Sequence, residues 1–125
     1  ETSERQSRMI VELPFPPSVN HYLGRRGNRT FKTLAATGYN LDVYAIIRQN
    51  NMNKGFNTPL NLTYYYWFPD NRRRDIANYE KVLTDSLVTA GVMVDDHLVH
   101  KLTQERKGVC KGGKVIVIIQ PYVKE

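Results

Sequence analysis

The sequence predicts an α/β fold of the α+β kind: one small mixed β-sheet carrying two packed helices, in the order β-α-β-α-β-β. Three observations carry this. Two stretches repeat apolar residues at three- and four-residue spacing, as helices with one buried face do. Four others are short, rich in β-favouring residues and bounded by proline or glycine. The two kinds alternate before the chain closes on two strands, the pattern of layered α and β structure rather than of a bundle or a sandwich. At 125 residues a single domain suffices, and that length buries an ordinary core.

Glu1 to Arg8 is polar and aperiodic; it reads as a disordered tail or an expression remnant ahead of a folded domain at 9–125. Met9 to Leu13 alternates as a first strand, Ile10 and Glu12 to one side, Val11 and Leu13 to the other, and Pro14-Phe15-Pro16-Pro17 stops it. From Ser18-Val19-Asn20 through His21 to Lys32, two glycines and the cations Arg25, Arg26, Arg29 and Lys32 read as a mobile basic loop suited to phosphate; a plain solvated loop accounts for the same residues. Thr33 to about Asn51 is helical, with Leu34, Leu41, Tyr44, Ala45 and Ile47 or Arg48 as its face.

Gly55 and Pro59 mark a turn before Leu60 to Phe68, a strand by its aromatic and β-favouring content. Ile76, Tyr79, Leu83, Leu87 and Ala90 form the stripe of a second helix of about four turns, with Asp75 as N-cap and Gly91 as stop. His97 to Glu105 alternates as a strand. After a turn at Gly108 and Gly112-Gly113, Val115 to Ile119 is apolar throughout and belongs at the centre of the sheet.

Lys and Arg number 18 against 12 Asp and Glu, a net charge of +6, which favours polyanionic partners, nucleic acid first. The single cysteine, Cys110, excludes an internal disulfide and fits a reducing cytoplasm. No apolar run is long enough for a bilayer and no secretory leader is recognisable, so the expectation is a cytoplasmic protein with no membrane partner.

The chemistry-bearing stretch is Asp70-Asn71-Arg72-Arg73-Arg74-Asp75, which runs three arginines into a helix start, where side chains and peptide dipoles both attract phosphate. Ala77, Lys81 and Asp85 follow at four-residue spacing on the polar face. Asp75 together with Asp95-Asp96 would suit Mg²⁺, with Mn²⁺ as a substitute, because these ions take oxygen ligands and keep water and phosphate in their shells. The same acids also serve as a cap and a turn, and Lys81 as a partner for Asp85. His97 and His100, three apart in a strand, point to opposite faces and exclude a zinc site with Cys110. The run Tyr64-Tyr65-Tyr66-Trp67 divides between core and surface, with base stacking as the alternative.

These residues resemble a known family, the RusA Holliday-junction resolvases, small dimeric endonucleases common in phages and prophages. The resemblance spans Met9 to about Tyr122. It rests on Pro14-Phe15-Pro16-Pro17-Ser18-Val19-Asn20, on Arg72 through Lys81, on Gly91 followed by Asp95-Asp96, and on Lys111-Gly112-Gly113. It implies a homodimer that makes paired Mg²⁺-dependent nicks in a four-way DNA junction, in a bacterial host cell and possibly phage-encoded. Asp75 and Asp96 would be metal-binding carboxylates and Lys81 the catalytic lysine. Arg25, Arg26, Arg29, Lys32, Arg72, Arg73, Arg74, Lys107, Lys111 and Lys114 would hold DNA. The departure is Ala77, where the family has its second catalytic aspartate, so nicking is expected to be impaired and DNA binding kept. It is the exchange one would introduce to hold a substrate complex uncut. The alternatives are a non-catalytic junction- or DNA-binding protein, and an RNA-binding module using the aromatic strand.

Overall fold

Side chains of Leu60–Phe68 alternate strictly: Leu60, Leu62, Tyr64, Tyr66 and Phe68 turn inward, while Asn61, Thr63, Tyr65 and Trp67 face the other way. A computed structural model describes residues 8–21 and 23–124. The tail reading therefore falls mostly outside the described residues. In chain order come β1 (Met9–Leu13), a hairpin of β2 (Leu23–Arg26) and β3 (Arg29–Lys32), helix α1 (Leu34–Gln49), β4 (Leu60–Phe68), helix α2 (Glu80–Ala90), β5 (Val99–Val109) and β6 (Lys114–Pro121).

The sheet order is β1-β6-β4-β5, with β6 antiparallel to both its neighbours and β5 parallel to β4. The apolar run of β6 is thus internal, as expected. Register sets Val11 and Leu13 opposite Val117 and Val115, and Tyr64 and Tyr66 opposite the same two valines. That shared face packs on α1 and α2, and its side chains form one buried cluster. The opposite face stays open to Tyr65, Trp67 and Ile116. The mixed α+β architecture is the one the sequence predicts, and the predicted order β-α-β-α-β-β holds once the added hairpin of β2 and β3 is set aside.

Four details differ. His21 to Lys32 is a β-hairpin rather than a loop: Gly27, at φ 63°, opens a two-residue turn that sets Arg26 opposite Arg29 and Arg25 opposite Thr30. Of the predicted face helix α1 buries only Ile47, joined by Ala36, Tyr39, Asn40 and Val43, and it leaves Leu34 91% and Leu41 65% exposed. Polar groups decide this. Tyr39 donates its hydroxyl to the Pro14 carbonyl at 2.8 Å, and Ser86 donates to Asn40 Oδ1 at 2.7 Å, so a stripe that looks half polar is fully satisfied inside.

The second helix starts late. Ile76–Asn78 is a single 3₁₀ turn, α2 begins at Glu80, and Asp75 makes no side-chain capping bond. Tyr79 interrupts the ladder at φ −118° because its ring is anchored 4.9 Å from Phe15 and 5.7 Å from Phe68. Finally, Asp96–Leu98 forms another 3₁₀ turn that delays β5 to Val99, because Leu98 folds into the core.

Candidate nucleic-acid and metal site

Strand β4 ends in buried Phe68 and hands the chain to Pro69 and Asp70. Asp70 organises the arginine segment. Its two carboxylate oxygens accept from both terminal nitrogens of Arg74, with Nη2 at 3.2 Å, and it also accepts from the Arg72 amide at 3.0 Å. Arg72 Nε lies 3.5 Å away. The Arg74 hydrogen bond, then the Arg72 amide, hold the Asp70 carboxyl down to about 2. From the neighbouring strand Arg106 donates to the Arg74 carbonyl while its guanidinium lies 4.0 Å above the Phe68 ring. Arg74 is thereby fixed, and Arg72 and Arg73 project from the surface.

On the far side of the 3₁₀ turn, Lys81 Nζ sits 3.7 Å from Asp85 Oδ2, one helical turn on. The predicted line of Ala77, Lys81 and Asp85 therefore holds only for its last two members, since Ala77 belongs to the 3₁₀ turn. Asp85, Asp95 and Asp96 border one shallow hollow of about 270 Å³, together with Lys32 of β3 and Val94. Asp95 caps the turn, accepting from the His97 amide at 3.1 Å. That bond, followed by a side-chain bond from Asp96, lowers Asp95 to about 2. Asp96 moves the other way: its bond to Asp95 raises its pKa, the charges of Asp95 and Asp85 add to the rise, and Lys81 opposes it.

The hollow thus joins Asp96 to Asp85 and to the hairpin's Lys32, with Lys81 acting on Asp96 through space. Asp75 and Ala77 are exposed at the foot of α2 and are not among the residues lining it. Among the described residues, no three His, Cys, Asp or Glu side chains gather closely enough to hold a metal ion. The donors that are present are of the right kind, hard carboxylate oxygens, and like-charge crowding at Asp96 is what a divalent cation relieves.

The remaining cations lie in separate places. Arg25, Arg26, Arg29 and Lys32 are exposed on the hairpin, and Lys111 on the β5–β6 turn. Lys107 lies 4.5 Å over the Tyr65 ring and Lys114 4.9 Å over that of Trp67, on the open sheet face. Tyr64 and Tyr66 are wholly buried, so the aromatic run divides as expected. His97 lies in the 3₁₀ turn, Nδ1 3.3 Å from Asp95, and His100 packs on Tyr122 at 5.3 Å. Two contributors look only structural, or without a partner, in the sequence. Asp85 is visible there as Lys81's partner at four-residue spacing. His21, whose Nδ1 is 3.0 Å from Ser18 Oγ, lines a cleft beside the arginines that no spacing rule discloses.

The mixed α+β fold thus carries a braced arginine segment ahead of the Ile76–Asn78 turn and, after it, a lysine near crowded carboxylates. No helix among the described residues is long and apolar enough to cross a membrane. A family model described as endodeoxyribonuclease RusA matches residues 14–120. The chain is 32% identical over 109 residues to proteins named crossover junction endodeoxyribonuclease RusA from Escherichia coli strain K12 and from Shigella sonnei, and equally to that of Enterobacteria phage 82. Each match covers 87% of this chain and 91% of the relative. The chain belongs to the RusA endodeoxyribonuclease family.

Proposed function

We propose that the chain binds four-way DNA junctions as a homodimer inside a bacterial cell, and that it carries a junction-resolving endonuclease site impaired by Ala77. The carrying observation is the gathering of Lys81, Asp85 and Asp96, in a chain of this family whose braced arginine segment leads into the same helix. A two-fold axis would present the same site to two opposed strands of a four-armed substrate, so paired nicks follow from symmetry.

Asp75 and Asp96 would hold Mg²⁺, with Mn²⁺ as a substitute. When bound, the ion would supply a water of lowered pKa and offset charge on the phosphate. The protein's own residues do the rest. Arg72, Arg73 and Arg74 and the hairpin cations hold backbone phosphates on either side, with Lys107, Lys111 and Lys114 extending the path. Lys81 sets a positive charge against the developing charge of the cleaved phosphate. Ala77 puts a methyl group where the family's aspartate would stand, which removes one donor while lessening repulsion of DNA.

Restoring the carboxylate by Ala77→Asp is expected to raise paired nicking of a synthetic four-way junction in Mg²⁺ by on the order of 100-fold. Undiminished junction-selective binding with no nicking after that exchange would favour the second reading, a non-catalytic junction-binding protein. Single-stranded RNA competing better than the junction would remove both.

A further inference from the structure

Between the proline-rich loop after β1 and the arginine segment lies a cleft of about 410 Å³, within the ~300–1,000 Å³ range of small-molecule sites. Its apolar lining is Phe15, Pro16 and Pro69 packed beside buried Tyr79, with the half-buried, Asp70-bound Arg74 also at its border. Its outer lining is polar and exposed, from Arg72, Arg73 and the hydrogen-bonded Ser18–His21 pair. Asp70 engages Arg72 and Arg74, whereas Arg73 makes no hydrogen bond or ion pair among the described residues. The apolar wall is held in place: a Cβ on Gly113, at φ 71°, would meet Phe15 Cβ at 2.9 Å and Pro69 Cδ at 3.1 Å. The β5–β6 turn therefore presses directly on the residues that shape the cleft.

An anion alone needs only the outer cations, and a stacked duplex offers no apolar group to the apolar wall. The ligand that matches both is amphipathic, with a planar ring a short link away from a phosphate. We propose that this cleft receives one nucleotide lifted out of the base stack, its phosphate held by Arg73 and its base laid against Phe15 and Pro69 with His21 at the edge. This rests on the DNA-junction reading and adds to it a strand-distorting subsite at the arginine segment. Unstacking costs least where stacking is already interrupted, as at a branch point, so the cleft would also favour branched over linear DNA.

The full chain, bound to four-way junctions carrying a single 2-aminopurine at successive positions around the branch, tests this. Fluorescence is expected to rise several-fold at one position per bound strand, and His21→Ala and Arg73→Gln, both at exposed residues, are expected to abolish the rise. Junction binding with no responsive position, or a rise that survives both exchanges, overturns the inference. Anisotropy in the same titration reports separately whether junctions are preferred to duplex, the point on which the functional reading stands. An arm free of the junction titrates deoxyadenosine 5′-monophosphate against inorganic phosphate and follows the His21 ring resonances. Larger shifts with the nucleotide support the cleft, and equal shifts contradict it.

Discussion

The arginine segment and the acidic corner stand at the two ends of the stretch from Asp70 to Asp96, yet they are built in opposite ways. Arg74 is bound by Asp70 at one end and by Arg106 along its backbone, and Arg106 in turn lies on Phe68. Beyond the Ile76–Asn78 turn, Lys81 has one partner at 3.7 Å, and Asp95 and Asp96 are exposed with charge crowded on Asp96. The cationic side is organised by the fold before any ligand arrives, while the acidic side carries repulsion that a cation would relieve. One half is thus preorganised, and the other keeps its charges crowded.

Undermining the braced side should abolish the contrast. Tyr79 is 5% exposed and its ring packs on Phe15 and Phe68 at the root of the arginine side, so Tyr79→Ala should cost about 3–5 kcal/mol in urea unfolding. Gly113→Ala should come next, at about 1–3 kcal/mol, because the methyl group must displace Phe15 or Pro69. Its mark would be a weakened arginine side with the acidic corner unchanged, seen as amide shift changes confined to the former.

Acid sharpens the same division. The folded Asp70 carboxyl, at about 2, lies below the ordinary ~3.9, so the bracing is complete above about pH 4 and is lost as pH falls through about 2. Arg74 side-chain resonances should therefore hold their positions from neutral pH to about 4 and move only below that. Smallest is Asp85→Asn. Removing an exposed pair at four-residue spacing should change stability by only about 0.3–0.5 kcal/mol.

How much of this the sequence disclosed depended on which force decided each element. β1 and β4 have the expected limits because strict alternation beside prolines leaves one register. Of the predicted stripe Tyr79, Leu83, Leu87 and Ala90 are buried, while Ile76, in the 3₁₀ turn, is only half-buried. Asp75 is not a side-chain cap, because a tertiary aromatic contact at Tyr79 overrode the local preference. The buried face of α1 escapes a reading of apolar spacing because Tyr39 and Asn40 find partners at Pro14 and Ser86, 25 and 46 residues away in sequence. The hairpin is hidden by its charge, although Gly27-Asn28 is a turn signal in plain view. Of the site, the residue types were legible but not their grouping: Asp85 and Lys32 meet Asp96 only through the packing of α2, β3 and the Asp96–Leu98 turn.

The most direct measurement of the central claim is Mn²⁺-induced broadening of amide resonances in the Ala77→Asp chain beside the chain with Ala77. Broadening is expected to centre on Asp75, Asp96 and Lys81, far stronger with aspartate at 77, and to spare the hairpin tip at Gly27. Broadening confined to Asp85 and Asp95, or equal in both chains, would contradict the claim.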